Sequence, residues 1–180
     1  MMLNGNTHSM TRIVLLTLVL SALPLHSMAQ TSSAWRAATP AELEGFLPAR
    51  APVDKERIET EMRTASGIIN DRGQLIASVV LITAGYAAEG KYSHYLLLQR
   101  KVTLGDGMEL EAGAYVIGWS RTDSGLLVHV FDAATVKERG TVRARPIPQP
   151  KRVESFRTWP PGEQHYIQIG RYMLPYSIGL

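Results

Sequence analysis

The chain has 180 residues, with 19 lysines and arginines against 16 aspartates and glutamates, five histidines and no cysteine. Without cysteine there is no disulfide, thiolate metal site, c-type haem or thiol nucleophile. The near balance of charge also argues against a nucleic-acid partner, which calls for a clustered basic patch.

Residues 1–29 read as a secretory signal peptide. Arg12 precedes an apolar run from Ile13 to Leu23, Pro24 breaks the helix, and Ser27-Met28-Ala29 puts small residues at the −3 and −1 positions of a peptidase site. The run is too short for a membrane-spanning helix, which takes roughly 20 residues. Cleavage after Ala29 is therefore expected, leaving no transmembrane segment in the mature chain. Arg12 is the one charged residue lost, so the mature chain keeps 18 basic and 16 acidic side chains. The expected location is periplasmic or extracellular. An exported, secreted domain of this size without cysteine fits a bacterial envelope protein.

Residues 30–65 read as an amino-terminal arm and a short helix. Gln30 to Ala38 are small and polar apart from Trp35. Thr39-Pro40-Ala41-Glu42 then makes a helix start: a capping threonine, a proline where the missing N–H is harmless, and a glutamate that reaches back. The helix is expected over Pro40 to Leu47. Asp54 to Arg63 alternates charges, with Ile58 and Met62 four apart, and suits a second amphipathic helix or a charged edge strand.

From Ser66 to Leu180 the pattern changes to short runs between turn residues. Asn70-Asp71-Arg72-Gly73 joins Ile68-Ile69 to Leu75–Thr83 as a hairpin. Leu75 to Ile82 is apolar on both faces apart from Ser78, the mark of a central strand. His94, Leu96, Leu98, Val102 and Leu104 share one face of a strand, with Arg100 the exception. Tyr115, Ile117 and Trp119 form another inward face, which predicts a buried Trp119. Further runs lie near Val142, at Val153–Trp159 and at His165–Tyr172. Pro146, Pro148 and Pro150 suggest a stiff crossover between sheets. Seven to nine short strands with regular turns predict a mainly β fold: one antiparallel sandwich, immunoglobulin- or transthyretin-like, with a short amino-terminal helix.

One phrase within it, Leu110-Glu111-Ala112-Gly113-Ala114-Tyr115-Val116-Ile117-Gly118, has the form L-x-A-G-x-Y-x-x-G. It resembles a stretch of exported bacterial β-sandwich proteins of unknown function and of transthyretin-like accessory domains. The resemblance implies a fold and no activity, because the phrase carries no catalytic residue.

For chemistry the mature chain offers three histidines, His94, His129 and His165, each in the apolar phase of its strand. Three imidazoles suit a catalytic zinc with an open fourth position, so a metal-dependent enzyme is the alternative reading. No short ligand motif supports it, and no cofactor is expected. No G-x-S-x-G elbow accompanies Ser78 or Ser93 with Asp132. Glu89, Glu109, Glu111 and Asp132 do not single out a glycosidase pair. Two features suit binding instead. The connection Ala84–Tyr95 carries Tyr86, Lys91, Tyr92 and Tyr95, aromatics with a cation that suit a glycan or peptide. Arg143, Arg145, Lys151, Arg152 and Arg157 gather five positive charges with Glu154 among them, which suits an anionic polymer. The sequence thus favours a non-enzymatic envelope module that binds a protein, glycan or anionic polymer.

Overall fold

The computed structural model describes residues 34–82, 91–150 and 152–179, which lie within one compact unit, Ser32–Leu180. The expected leader, residues 83–90 with Tyr86 and Glu89, and Lys151 lie outside the described residues. The described chain starts with β1 (Trp35–Ala37), α1 (Pro40–Phe46), β2 (Arg50–Val53), β3 (Glu56–Asn70) and β4 (Leu75–Leu81). It continues through β5 (His94–Leu98), β6 (Val102–Leu104), β7 (Met108–Leu110), β8 (Gly113–Thr122) and β9 (Gly125–Asp132). The last strands are β10 (Glu138–Pro146), β11 (Glu154–Thr158), β12 (Tyr166–Gly170) and β13 (Tyr172–Ile178).

The strands form one antiparallel sheet in the order β1-β3-β4-β5-β8-β9-β10-β13-β12-β11. The sheet curls until β11 lies against β3, so the wall is nearly closed as a barrel. At this seam the Thr158 amide donates to Ser66 Oγ at 3.1 Å. The mainly β, antiparallel character follows the sequence pattern, but the path is a curled sheet where two stacked sheets were expected. The reason is physical: a barrel wall and a sandwich layer both alternate inward and outward with period 2. The proline-rich link after β10 was expected to cross between sheets; it passes β13 and β12 to reach β11 within the same sheet.

Inward side chains fill the barrel. Ile68, Leu96, Val128, Val142, Ile167 and Leu174 belong to this inner core. A second core lies outside the wall, where α1 and the β2–β3 hairpin cover β4, β5, β8 and β9. Leu43, Leu47, Val53 and Ile58 pack there on Leu75, Val79, Tyr95, Val116 and Phe131. The hairpin turn is tied down by the Asp54 amide donating to the Ala133 carbonyl at 2.8 Å. This outer layer explains the two-faced apolar pattern of β4: Ile76 faces the barrel, while Leu75, Ala77 and Val79 face the cover.

Local signals account for several elements. Thr39 and Glu42 form the expected capping box on α1, and Leu47 is its C-cap. The Arg36 guanidinium, then the Thr39 amide, hold the Glu42 carboxyl down at about 2. In the β3–β4 hairpin, Asn70 Oδ1 accepts from the amides of Arg72 and Gln74, and Gly73 takes a positive φ of 72°. Of the two readings for Asp54 to Arg63, the strand holds: residues from Glu56 onward run in β3. Regular structure begins well before Ser66, since β1 pairs with β3 at Trp35–Asn70. Three residues are too few to show alternation. The expected strand from His94 to Leu104 is two strands, β5 and β6. Arg100 is the break, its guanidinium donating to Gln74 Oε1 and to the Gly179 carbonyl.

The barrel's two ends differ. At the end marked by Leu98 and Gly113, the β6–β7 hairpin pairs with the last residues of β13 and buries Val102, Leu104 and Leu110 in the inner core. Its turn residue Gly105 has φ 54°, and a Cβ there would stand 2.2 Å from Val142 Cγ2. A side chain at this position would meet both strain and a clash. The opposite end has no such stopper among the described residues.

Candidate binding cleft at the open end of the barrel

The unstoppered end holds a cleft of about 570 Å³ lined by Trp119, Arg121, Leu126, Val153, Ser155, Ile169, Gly170, Arg171 and Tyr172. That volume is in the usual range for small-ligand sites. Three turns build it. β8 continues its inward phase from Tyr115 and Ile117 to Trp119 and then Arg121, just before the turn at Asp123–Ser124. The β12–β13 turn supplies Gly170, Arg171 and Tyr172, and the crossover into β11 supplies Val153 and Ser155. Gly170 has φ 61°, a Cβ on it would meet open space, and its carbonyl accepts from Gln168 Nε2 at 2.9 Å.

Both charged residues lining the cleft are arginines. Among the described residues neither Arg121 nor Arg171 makes an ion pair, and both are exposed. Trp119 and Tyr172 are half-buried and pack against the inner core. Trp119 was expected to be buried; its strand phase is inward, but it stands at the mouth. Val153, at the rim, is 58% exposed.

His94 belongs to the layer beneath Trp119. Its ring centroid is 5.0 Å from those of Trp119 and Phe156, and Ser93 Oγ is 2.9 Å from Nδ1. Nε2 is buried with no hydrogen-bond partner among the described residues. Burial holds the imidazole pKa down at about 4, so the ring is neutral at physiological pH.

The three histidines are not brought together. His94 faces the barrel interior, whereas His129 lies on the outer side of β9, stacked on Phe131 and 3.1 Å from Glu138 Oε1. His165 precedes β12 at the end away from the cleft, with its ring edge-on to Tyr176. Among the described residues no group of three or more histidines and carboxylates is placed to hold a metal. None of the described hydrolase candidates lines the cleft. Glu109 and Glu111 share Lys101, and Asp132 Oδ1 accepts from the amides of Ala134 and Thr135 in a turn.

The aromatic connection is divided in the same way. Lys91 is exposed, while Tyr92 and Tyr95 are buried in the outer core. The chain at Lys91–Tyr92 runs so close to β8 that a Cβ on Gly118 would stand 2.2 Å from the Lys91 carbonyl oxygen. Tyr92 and Tyr95 thus turn their rings to the cover, with Tyr92 6.1 Å from Phe131.

The basic run is partly neutralised. Arg143 and Arg145 occupy the outward phase of β10, and Arg145 pairs with Asp106 at 3.1 Å. Arg152 and Arg157 each lie 3.6 Å from Glu154, and Arg157 stands 4.3 Å above the Trp159 ring. Arg143 has no ion-pair partner among the described residues. β10 ends at Pro146, which pairs with the cleft residue Tyr172, so this face borders the cleft.

Sequence reasoning passed over Arg121 and Arg171. One signal was present for the first: an arginine on the inward phase of a core strand fits only where that strand leaves the barrel. Arg171 and Tyr172 carried none, because their turn contains no doublet such as Asn-Gly. Comparison with protein-family models, with curated proteins and with solved structures gives no match for this chain. Among the described residues no helix is long and apolar enough to cross a membrane.

Proposed function

We propose that this protein is an exported, non-enzymatic binding module that takes an anionic partner at the open end of its barrel. The observation that carries the reading is the cleft whose two charged lining residues are Arg121 and Arg171, neither with an ion-pair partner among the described residues. A guanidinium stays protonated throughout the physiological range, so these groups hold charge and do not shuttle protons. Arg143 and Arg145 extend the basic surface along β10, and Arg152 adds to it beyond the crossover. The partner class is an anionic polymer or glycan of the cell envelope. Export rests on the leader at residues 1–29, and the intact mass of the native protein should correspond to a chain starting at Gln30.

The test is retention on dextran sulfate, a generic polyanion. Wild-type protein should be retained at ~0.1 M salt and released towards ~1 M, where the screening length shrinks from about 10 Å to about 3 Å. Neutralising Arg143, Arg145 and Arg152 should advance elution, and neutralising Arg121 with Arg171 should advance it further. Unchanged elution in both sets would reduce these arginines to solvated surface.

A further inference from the structure

Resting on that reading, we infer that the cleft recognises an acidic sugar: a pyranose ring bearing a carboxylate or a phosphate, at the end of a glycan or free. Three features of the lining point to this class. First, Arg121 and Arg171 offer planar forks of N–H donors, which match carboxylate and phosphate oxygens two at a time. Among the described residues no carboxylate lines the cleft to compete for them. Second, Trp119 and Tyr172 present half-buried aromatic groups at the same mouth. The C–H face of a pyranose packs on such a ring, as the apolar side of an otherwise polar molecule. Third, the remaining polar groups suit hydroxyls. Ser155 offers a hydroxyl, and Gly170 leaves open the space a side chain would fill, although its carbonyl already accepts from Gln168 Nε2 at 2.9 Å.

The shape of the site argues against the neighbouring ligand classes. An apolar carboxylate such as a fatty acid needs a deep apolar cavity, and the barrel interior is filled by Leu96, Ile117, Val128 and their neighbours. A bare inorganic anion would use the arginines and leave Trp119, Tyr172 and the exposed Val153 uncovered. A neutral sugar would use the aromatic side chains and leave two unpaired guanidinium groups. An acidic sugar engages both sets, and the cleft volume of about 570 Å³ accommodates one or two rings.

The experiment is titration of the full mature protein with D-glucuronate, glucose 6-phosphate, glucose and inorganic phosphate, followed by Trp119 fluorescence and by calorimetry. Trp119→Phe identifies the Trp119 signal against Trp35 and Trp159. Glucuronate and glucose 6-phosphate should bind at least about tenfold more tightly than glucose, a difference of about 1.4 kcal/mol. Glucose 6-phosphate should also exceed inorganic phosphate by at least about tenfold. Whichever acidic sugar binds more tightly identifies carboxylate or phosphate as the preferred anion. Arg121→Gln and Arg171→Gln should each weaken acidic-sugar binding by about tenfold or more without moving the thermal midpoint. Inorganic phosphate binding as tightly as glucose 6-phosphate would overturn the sugar assignment and leave the anion reading standing. Glucose binding as tightly as glucuronate would overturn it from the other side. Binding of none of the four overturns the inference; if the protein is then also not retained on dextran sulfate, the anion reading fails with it.

Discussion

The two ends of the barrel receive opposite treatment from the same kind of hairpin. At one end the β6–β7 hairpin turns inward, and Leu104 and Leu110 are 2% and 1% exposed. At the other end the β8–β9 and β12–β13 turns stay at the rim and present Trp119, Arg121, Arg171 and Tyr172 to a cleft. An arginine on a rim is fully hydrated and contributes little to folding, whereas a leucine stopper contributes through burial. On the proposed reading, stability and recognition are separated along the barrel axis, and each end can be tested for the property the other lacks.

The largest expected effect is at the stoppered end. Leu104→Ala or Leu110→Ala removes a fully buried side chain from the inner core and should cost about 2–5 kcal/mol in denaturant unfolding. Acidic-sugar binding by the folded fraction should be unchanged, because the cleft lies at the far end. A loss below about 1 kcal/mol would show that the hairpin is not part of the cooperative core.

Between the ends sits His94, whose neutral ring is enclosed by Trp119, Phe156, Val80 and Ile117, with Ser93 on Nδ1. None of these neighbours carries charge. Its folded pKa of about 4 lies below the ordinary 6.5, so between those values the unfolded chain binds the proton and the native state does not. Stability should therefore be highest above pH 6.5 and decline as pH falls towards 4, by about 3 kcal/mol from this group. His94→Gln should flatten that decline in unfolding curves measured at several pH values. An unaltered slope in the variant would place the proton uptake elsewhere.

How much of this was legible in the sequence depends on what each residue's neighbours could reveal. Alternation at His94–Leu98 and Tyr115–Trp119 reported strands and their inward phase, because period 2 is local. The two-faced apolar run of β4 reported a covered central strand, and the outer layer of α1 and β2–β3 supplies the cover. Curling of the sheet was not legible, since closure depends on β11 reaching β3 across about 90 residues of chain, as the Thr158–Ser66 bond shows. Nor was the neutralisation of Arg145, because it meets Asp106 from another hairpin, whereas Glu154 between Arg152 and Arg157 could be read directly. Trp119 shows both sides: its phase was readable, but its height in the barrel was not.

Trp119→Ala sharpens that point. A fully buried tryptophan costs about 3–5 kcal/mol on truncation, whereas a side chain packed on one side and open on the other should cost about 2 kcal/mol. Chemical denaturation decides between them. A loss at the top of the buried range would mean that the cleft closes over Trp119 in solution.

The smallest effect on folding belongs to the rim, and it separates the two ends most directly. Arg121 and Arg171 are exposed, have no ion-pair partner among the described residues and share one cleft, so the folded protein gains little from either. Replacing both with glutamine should change unfolding free energy by no more than about 0.5 kcal/mol, the ordinary span for surface substitutions. The sign should be neutral or slightly stabilising, since two like charges at one mouth repel. That gain should be largest at ~0.01 M salt, where the screening length is about 30 Å, and vanish near ~1 M. A loss above about 1 kcal/mol would mean that the guanidinium groups hold the turns in place. The open end would then be a structural counterpart of the β6–β7 stopper, and its arginines would no longer stand apart as a binding device.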